Sequence, residues 1–182
     1  PRDGLPRYPS LWTGCVGAWS AGLGPTGGVV REWAGKKNNG TLTNGALFQL
    51  GVNGYEISAD GVDDYIDVGN VYPSTTRYTF SAWVKMPTTA GTYTIFSNLS
   101  GVGVSANVVI AAGPVVSLQH HWHGVAFYTS STITEPSDWF HVLWAYDGAT
   151  VYEYINGTLI TSHTPGTLGN GGNYNLLRRT DA

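Results

Sequence analysis

The chain has 182 residues, a net charge of −3, 25 glycines and only 12 % charged residues. That balance leaves no basic footprint for nucleic acid, and no apolar run reaches the length of about 18 residues that a membrane-spanning helix needs. Cys15 is the single cysteine, which excludes an intrachain disulfide and a cysteine-based zinc site. Many glycines and aromatics with few charges suit many short strands and turns, and the length suits one all-β domain.

Residues 1–12 hold Pro1, Pro6 and Pro9 and are expected to form an extended arm. The start lacks the apolar core of an export signal, which an already processed chain would also lack; removal of an initiator Met would equally expose Pro1 and leave a native N-terminus with no cleaved signal, and an extracellular or virion-surface location is expected. Short strands are predicted over 15–20 and 29–33, with a polar turn over 35–40. A turn at Asp60-Gly61 precedes a strand from Tyr65. The stretch 78–86 alternates, with Tyr78, Phe80, Ala82, Val84 and Met86 on one face. Trp83 interrupts its polar face. Strands over 92–98, 102–111, 115–119 and 125–129 follow at the spacing of a sandwich or barrel.

The densest signal is 139–160, WFHVLWAYDGATVYEYINGTLI. Asp147-Gly148 and Asn156-Gly157 punctuate three apolar runs, and such dipeptides favour tight turns because both central residues tolerate positive φ. The first run is apolar on both faces, so the strand is expected to be covered on both or to pack inside a two-sheet sandwich.

Four segments, 37–45 (KNNGTLTNG), 60–68 (DGVDDYIDV), 80–85 (FSAWVK) and 139–157 (WFHVLWAYDG…VYEYING), together resemble the laminin-G-like jelly roll of the concanavalin A-like lectin/glucanase superfamily. The resemblance implies an all-β fold over 13–182, a two-sheet antiparallel jelly-roll sandwich with one concave and one convex sheet. Ala59 stands where the family usually has a large aromatic, and Trp139-Phe140-His141-Val142 replaces its usual Trp-His-His-Val. The family also continues past an Arg-Arg strand, here 175–179, into a last strand with an acidic pair. This sequence stops at Ala182, so that strand is either cut off or supplied from elsewhere. An open sheet edge would follow, and with it a homo-oligomer or larger assembly.

Glycosidases of the superfamily set carboxylates on one strand as Glu-x-Asp-x-x-Glu. None of Glu32, Glu56, Glu135 and Glu153 has an acid at that spacing. Asp60, Asp63 and Asp64, with Asp67 beyond, form an acidic cluster that suits Ca²⁺; jelly rolls of this family often carry such an ion. The same residues also suit a turn in which Asp60 bonds its own backbone. In QHHWHG, His121 and His123 share a strand face and could chelate an ion, or His120, His121 and His123 form a polar rim. A third reading joins His121, Trp122, His123 and Tyr128 into a sugar-binding surface, with rings that stack and imidazoles that bond hydroxyls.

The sequence therefore points to a lectin-like, non-catalytic binding or structural module. It would recognise carbohydrate or protein at a cell, matrix or virion surface, without inserting into a membrane. The virion option rests on the missing export signal and the unpaired cysteine. The alternative is a carbohydrate-active enzyme, hydrolase or lyase, on the same fold.

Overall fold

The computed structural model describes residues 12–71, 77–98, 104–111, 115–122, 126–129, 132–134, 138–165 and 174–176; at 23, 98, 104–111, 121–122, 126–129, 133 and 174–176 it describes the backbone alone. Three antiparallel sheets are present among them. The largest runs in the order β1 (Val29–Val30), β2 (Gly40–Thr43), β5 (Tyr65–Asp67), β15 (Tyr174–Leu176), β7 (Gly91–Asn98), β8 (Val104–Ala111), β9 (Val115–Trp122), β10 (Ala126–Thr129). A further strand, β11 (Ile133–Thr134), pairs with β9. The second sheet runs β14 (Thr158–His163), β13 (Val151–Ile155), β12 (Phe140–Tyr146), β6 (Tyr78–Val84). A hairpin of β3 (Leu47–Gly51) and β4 (Gly54–Ser58) forms the third. No helix among the described residues is long and apolar enough to cross a membrane.

The period of two explains why the core lies between the two main sheets. Along β12, Phe140, Val142 and Trp144 are wholly buried. Along β6, Tyr78 and Val84 are buried and Phe80 and Ala82 are half-buried. The large sheet answers with Val30, Ile66, Phe96, Val116 and Leu118. The rings of Phe80 and Phe96 stack across the gap with centroids 4.0 Å apart. Each fully buried large side chain here is worth about 1.5–3 kcal/mol in transfer from water. The fold is thus the all-β antiparallel sandwich that the alternation and the resemblance imply.

The turns follow their chemistry. Asn156 (φ 49°) and Gly157 (φ 79°) both adopt the left-handed region, and Ile155 pairs with Thr158, so this is a two-residue hairpin loop. The Asp147 turn is longer. Tyr146 pairs with Val151, and Asp147 Oδ1 accepts the N–H groups of Ala149 and Thr150, each at 2.8 Å. Gly40 allows a close approach, since a Cβ there would sit 2.5 Å from Ile66 Cγ2.

Several expectations need correction. Residues 15–20 form no strand; they make an isolated bridge between Trp19 and Glu32. The physical reason is the Glu32 carboxylate, which accepts the N–H groups of Ala18 (3.1 Å), Lys36 (2.6 Å) and Ala34 in place of a longer ladder. The strand over 29–33 shortens to two residues plus that bridge. β2, β3 and β4 were not anticipated from the sequence. Of the two alternatives for β12, cover on both faces or packing inside a two-sheet sandwich, the structure shows the second, with Leu143 and Ala145 half-buried on the outer face. The expected arm over 1–12 lies, apart from Trp12, outside the described residues.

Candidate functional site

The outer face of the four-stranded sheet carries the most exposed aromatic of any sheet in the described structure. Trp83 follows the inward residue Ala82, so the pleat turns it outward, where it is 66 % exposed. Its cross-strand partner is His141 on β12. The two rings stand 5.4 Å apart at 53°. His141 Nε2 lies 2.9 Å from Ser81 Oγ, which fixes the imidazole beside the indole.

The hairpin loop holds this pair from behind. Asn156 Oδ1 accepts the His141 N–H at 2.9 Å, and the Asn156 N–H donates to the His141 carbonyl at 2.9 Å. Leu143 lies opposite both Ser81 and Tyr154, and Tyr154 lies opposite Leu159. The face thus presents an indole, an imidazole, a hydroxyl and a phenol over an apolar stripe. At its rim Lys85 Nζ meets Asp138 Oδ1 at 3.2 Å. The Trp139 N–H and then Lys85 hold the Asp138 carboxyl below its ordinary range. This combination of an open ring face and fixed polar groups is what a sugar ring or a protein surface needs from a site.

Beneath the same strands lies a sealed polar cluster. Glu153 is on the inner face of β13 and is fully buried, and neither of its carboxylate oxygens has a hydrogen-bond partner. His163 Nδ1 on β14 is 3.9 Å from Glu153 Oε1, beyond hydrogen-bond length. Burial pushes the Glu153 carboxyl up to about 8 and lowers His163. Both groups are therefore neutral near pH 7. His120, also fully buried, bonds Tyr78 Oη through Nε2 at 2.9 Å across the sheets. The His120–Tyr78 bond ties the two main sheets together, whereas Glu153 and His163 sit on neighbouring strands of one sheet.

The structure brings Asp60, Asp63 and Asp64 together, with one carboxylate oxygen of each within 4.8 Å of the others. Asp64 is buried, and its Oδ2 accepts the Asp60 N–H at 2.8 Å. Asp60 Oδ1 accepts the Val62 N–H at 2.7 Å, which is the expected turn bond. Gly45 opens a cradle beside them, because a Cβ there would stand 2.8 Å from Asp64 Oδ1. The oxygens left over and this space fit a hard cation.

Of the residues read as a sugar surface, His121 and Trp122 lie on β9 and Tyr128 on β10. Phe127 pairs with His121 and Tyr128 with His120, so the backbone sets them on adjacent strands. Their side chains, and the whole of His123, lie outside the described residues. His120 is no part of a rim; it is interior. The sequence reading missed Trp83 and His141 as site residues. The signal was present, since Trp83 is the one aromatic on the polar side of an alternating strand. Glu153 was legible as interior too, because it shares parity with Val151 and Ile155.

Comparison with solved structures places these features in a known fold. The botulinum neurotoxin serotype D binding domain matches with TM-score 0.59 and 16 % identity over 84 % of this chain and 41 % of that one. The binding domain of Paraclostridial Mosquitocidal Protein 1 matches with TM-score 0.54 and 14 % identity over 82 % and 45 %. This chain thus spans less than half of either toxin domain. A Bacillus licheniformis beta-glucanase matches with TM-score 0.51 and 11 % identity over 91 % of this chain and 86 % of the enzyme. No match was found among curated protein sequences. The family model for the concanavalin A-like lectin/glucanases matches residues 60–181, which covers β5 through β15 and the strands that carry the outer face. The chain belongs to the concanavalin A-like lectin/glucanases superfamily, as a laminin-G-like jelly roll.

Proposed function

We propose that this chain is a non-catalytic binding module that takes carbohydrate on the outer face of β6, β12 and β13. The observation that carries this reading is Trp83, an open indole on a regular strand with a fixed imidazole beside it. An indole covers the apolar face of a pyranose, while His141 and Ser81 supply placed polar atoms at its edge. The strands make the platform rigid, which limits the ordering that binding would otherwise require. The surface of β9 and β10 that holds His121, Trp122 and Tyr128 is a second candidate contact.

Two of the four glutamates, Glu32 and Glu153, support binding rather than hydrolysis. Retaining or inverting chemistry needs two carboxylates that face the sugar. Glu32 spends its oxygens on three backbone N–H groups, and Glu153 is sealed. Asp60, Asp63 and Asp64 would hold Ca²⁺ and stiffen the loop that leads into β5. Recognition of this kind belongs to a cell, matrix or virion surface.

A glycan array followed by a reducing-sugar assay on the glycans retained is the test. Saturable binding without release of reducing ends is the expected result. Turnover of any retained glycan would replace this reading with the enzyme. Retention of no glycan, with capture of a protein at the same face, would replace sugar by a protein ligand.

A further inference from the structure

An Asn followed by Gly can react with its own chain. The nitrogen of the next residue closes a five-membered ring on the Asn side-chain carbon, and Gly has no Cβ to obstruct the approach. Four such pairs lie among the described residues, at 39–40, 44–45, 53–54 and 156–157. All four share one chemistry, so what separates them is how firmly each is held.

Three are held. Asn39 Oδ1 accepts the Glu32 N–H at 3.0 Å, and Gly40 beside it is buried against Ile66. Asn44 Nδ2 donates to the Asp63 carbonyl at 2.9 Å, with its backbone in the left-handed region at φ 63°. Gly45 lies against the Asp64 carboxylate, whose charge opposes an attacking amide anion. Asn156 Oδ1 accepts the His141 N–H at 2.9 Å, and the Asn156 N–H donates to the His141 carbonyl. Each of these side chains must break a hydrogen bond before its carbon can turn toward the next nitrogen.

Asn53 is the exception. It is exposed, as are Val52 and Gly54 on either side, and its side chain makes no hydrogen bond among the described residues. A Cβ on Gly54 would meet nothing within 4 Å, so the space around the attacking nitrogen is open. Asn53 is one of the two loop residues of the β3–β4 hairpin, and Gly51 opposite Gly54 is the last pair of its ladder. Two glycines at the end of a two-stranded sheet bring no side chains to hold it, so this pair frays first. Fraying frees the Gly54 nitrogen and lets the Asn53 side chain reach it.

We propose that Asn53-Gly54 is a site of spontaneous modification, where Asn53 becomes aspartate or isoaspartate in the folded chain while the other three pairs stay intact. The Gly54 amide loses its proton to hydroxide, its nitrogen bonds to Asn53 Cγ, and the bond from Cγ to Nδ2 breaks with ammonia leaving. Water then opens the cyclic imide. Attack at Cγ restores the ordinary main chain as aspartate, and attack at the main-chain carbonyl leaves isoaspartate. Nothing is oxidised or reduced, and water is the only co-reactant. Either product places a new negative charge on a tip whose Leu50 and Val52 are exposed, near the Glu56 carboxylate that lies over Gly51. Isoaspartate also adds an atom to the main chain of a two-residue loop, which the pairing of Gly51 with Gly54 does not accommodate. The change therefore loosens the hairpin that packs Phe48 and Ile57 on the core. This inference is independent of sugar binding on the outer face.

The test is peptide mapping after incubation in mildly alkaline buffer made with heavy-oxygen water, which marks every side chain whose ring has opened. One sample is kept folded and one is unfolded in urea. In the folded chain Asn53 should convert about tenfold or more faster than Asn39, Asn44 or Asn156, the factor that a hydrogen bond to be broken imposes on the others. In urea those bonds are gone, and the four rates should draw together to within about threefold. Amide exchange over Leu47–Ser58 should quicken in the aged chain and not in aged Asn53→Gln. The proposal is overturned if folded Asn53 converts no faster than the other three, or if urea leaves its lead intact. It is also overturned if the aged hairpin exchanges as the fresh one does.

Discussion

β6, β12 and β13 have two faces built from the same strands, and the two faces differ in almost every property. The inner face holds Phe140, Val142, Trp144, Val151, Glu153 and Ile155, all buried. The outer face holds Trp83, Ser81, His141 and Tyr154, open or half-open. One residue step therefore separates a side chain that holds the sandwich together from one that is free to bind. The contrast teaches how to divide the sequence: odd and even positions of one strand answer to different selections, stability on one side and recognition on the other. The carboxylates show the same division. Glu153 is sealed without hydrogen bonds, whereas Asp60 and Asp63 stand in solvent on a loop.

The sharpest break in the inner face is Trp144→Ala. Trp144 is wholly buried, so the variant loses its transfer free energy and leaves a cavity, a loss of about 3–5 kcal/mol. A urea melt measures it. A loss under about 1 kcal/mol would show that the sheets do not close over this residue.

Glu153 gives the next largest effect, and its sign is specific. Its folded value of about 8 lies above the ordinary 4.5. The stability from keeping it protonated is full below pH 4.5 and is lost as pH rises through about 8. That loss is of the order of a few kcal/mol. His163 is depressed, so its contribution is full above its ordinary 6.5 and falls as acid charges it. Glu153→Gln should flatten the alkaline limb of a stability profile and leave the acid limb in place. An unchanged alkaline limb would show that Glu153 is solvated.

A smaller effect is expected at the acidic loop. If Asp60, Asp63 and Asp64 hold Ca²⁺, EDTA should lower Tm and excess Ca²⁺ should restore it, by about 2.7 kcal/mol at a hundredfold excess over Kd. Asp63→Asn should remove the response and leave the Tm without calcium nearly unchanged. A melt indifferent to EDTA and Ca²⁺ would leave the three residues as a turn.

Most of the sandwich was legible because its strands alternate and its turns carry Asn-Gly or Asp-Gly. Val151–Ile155 could be placed from those signals alone, and the start of Thr158–His163 as far as Ile160. β3 and β4 were not, because their hairpin has little buried on either face; Leu47 and Leu50 are exposed and Phe48 is half-buried. Only Phe48 and its partner Ile57 pack against the core, too few for the period of two to stand out. The bridge at Glu32 was hidden for another reason, since a carboxylate that gathers distant N–H groups leaves no local pattern. At the candidate site, Trp83 was visible as an irregularity and His141 was visible as a residue, but their pairing is a matter of register between strands about sixty residues apart.

The central claim is that the outer face binds without sharing in the core. It is tested by Trp83→Ala, measured beside the parent in two ways, by a thermal melt and by affinity for the best ligand from the glycan array. The account predicts a stability change within about 0.5 kcal/mol and a loss of affinity of about tenfold or more. A destabilised protein, or a stable one that binds as the parent does, would contradict it.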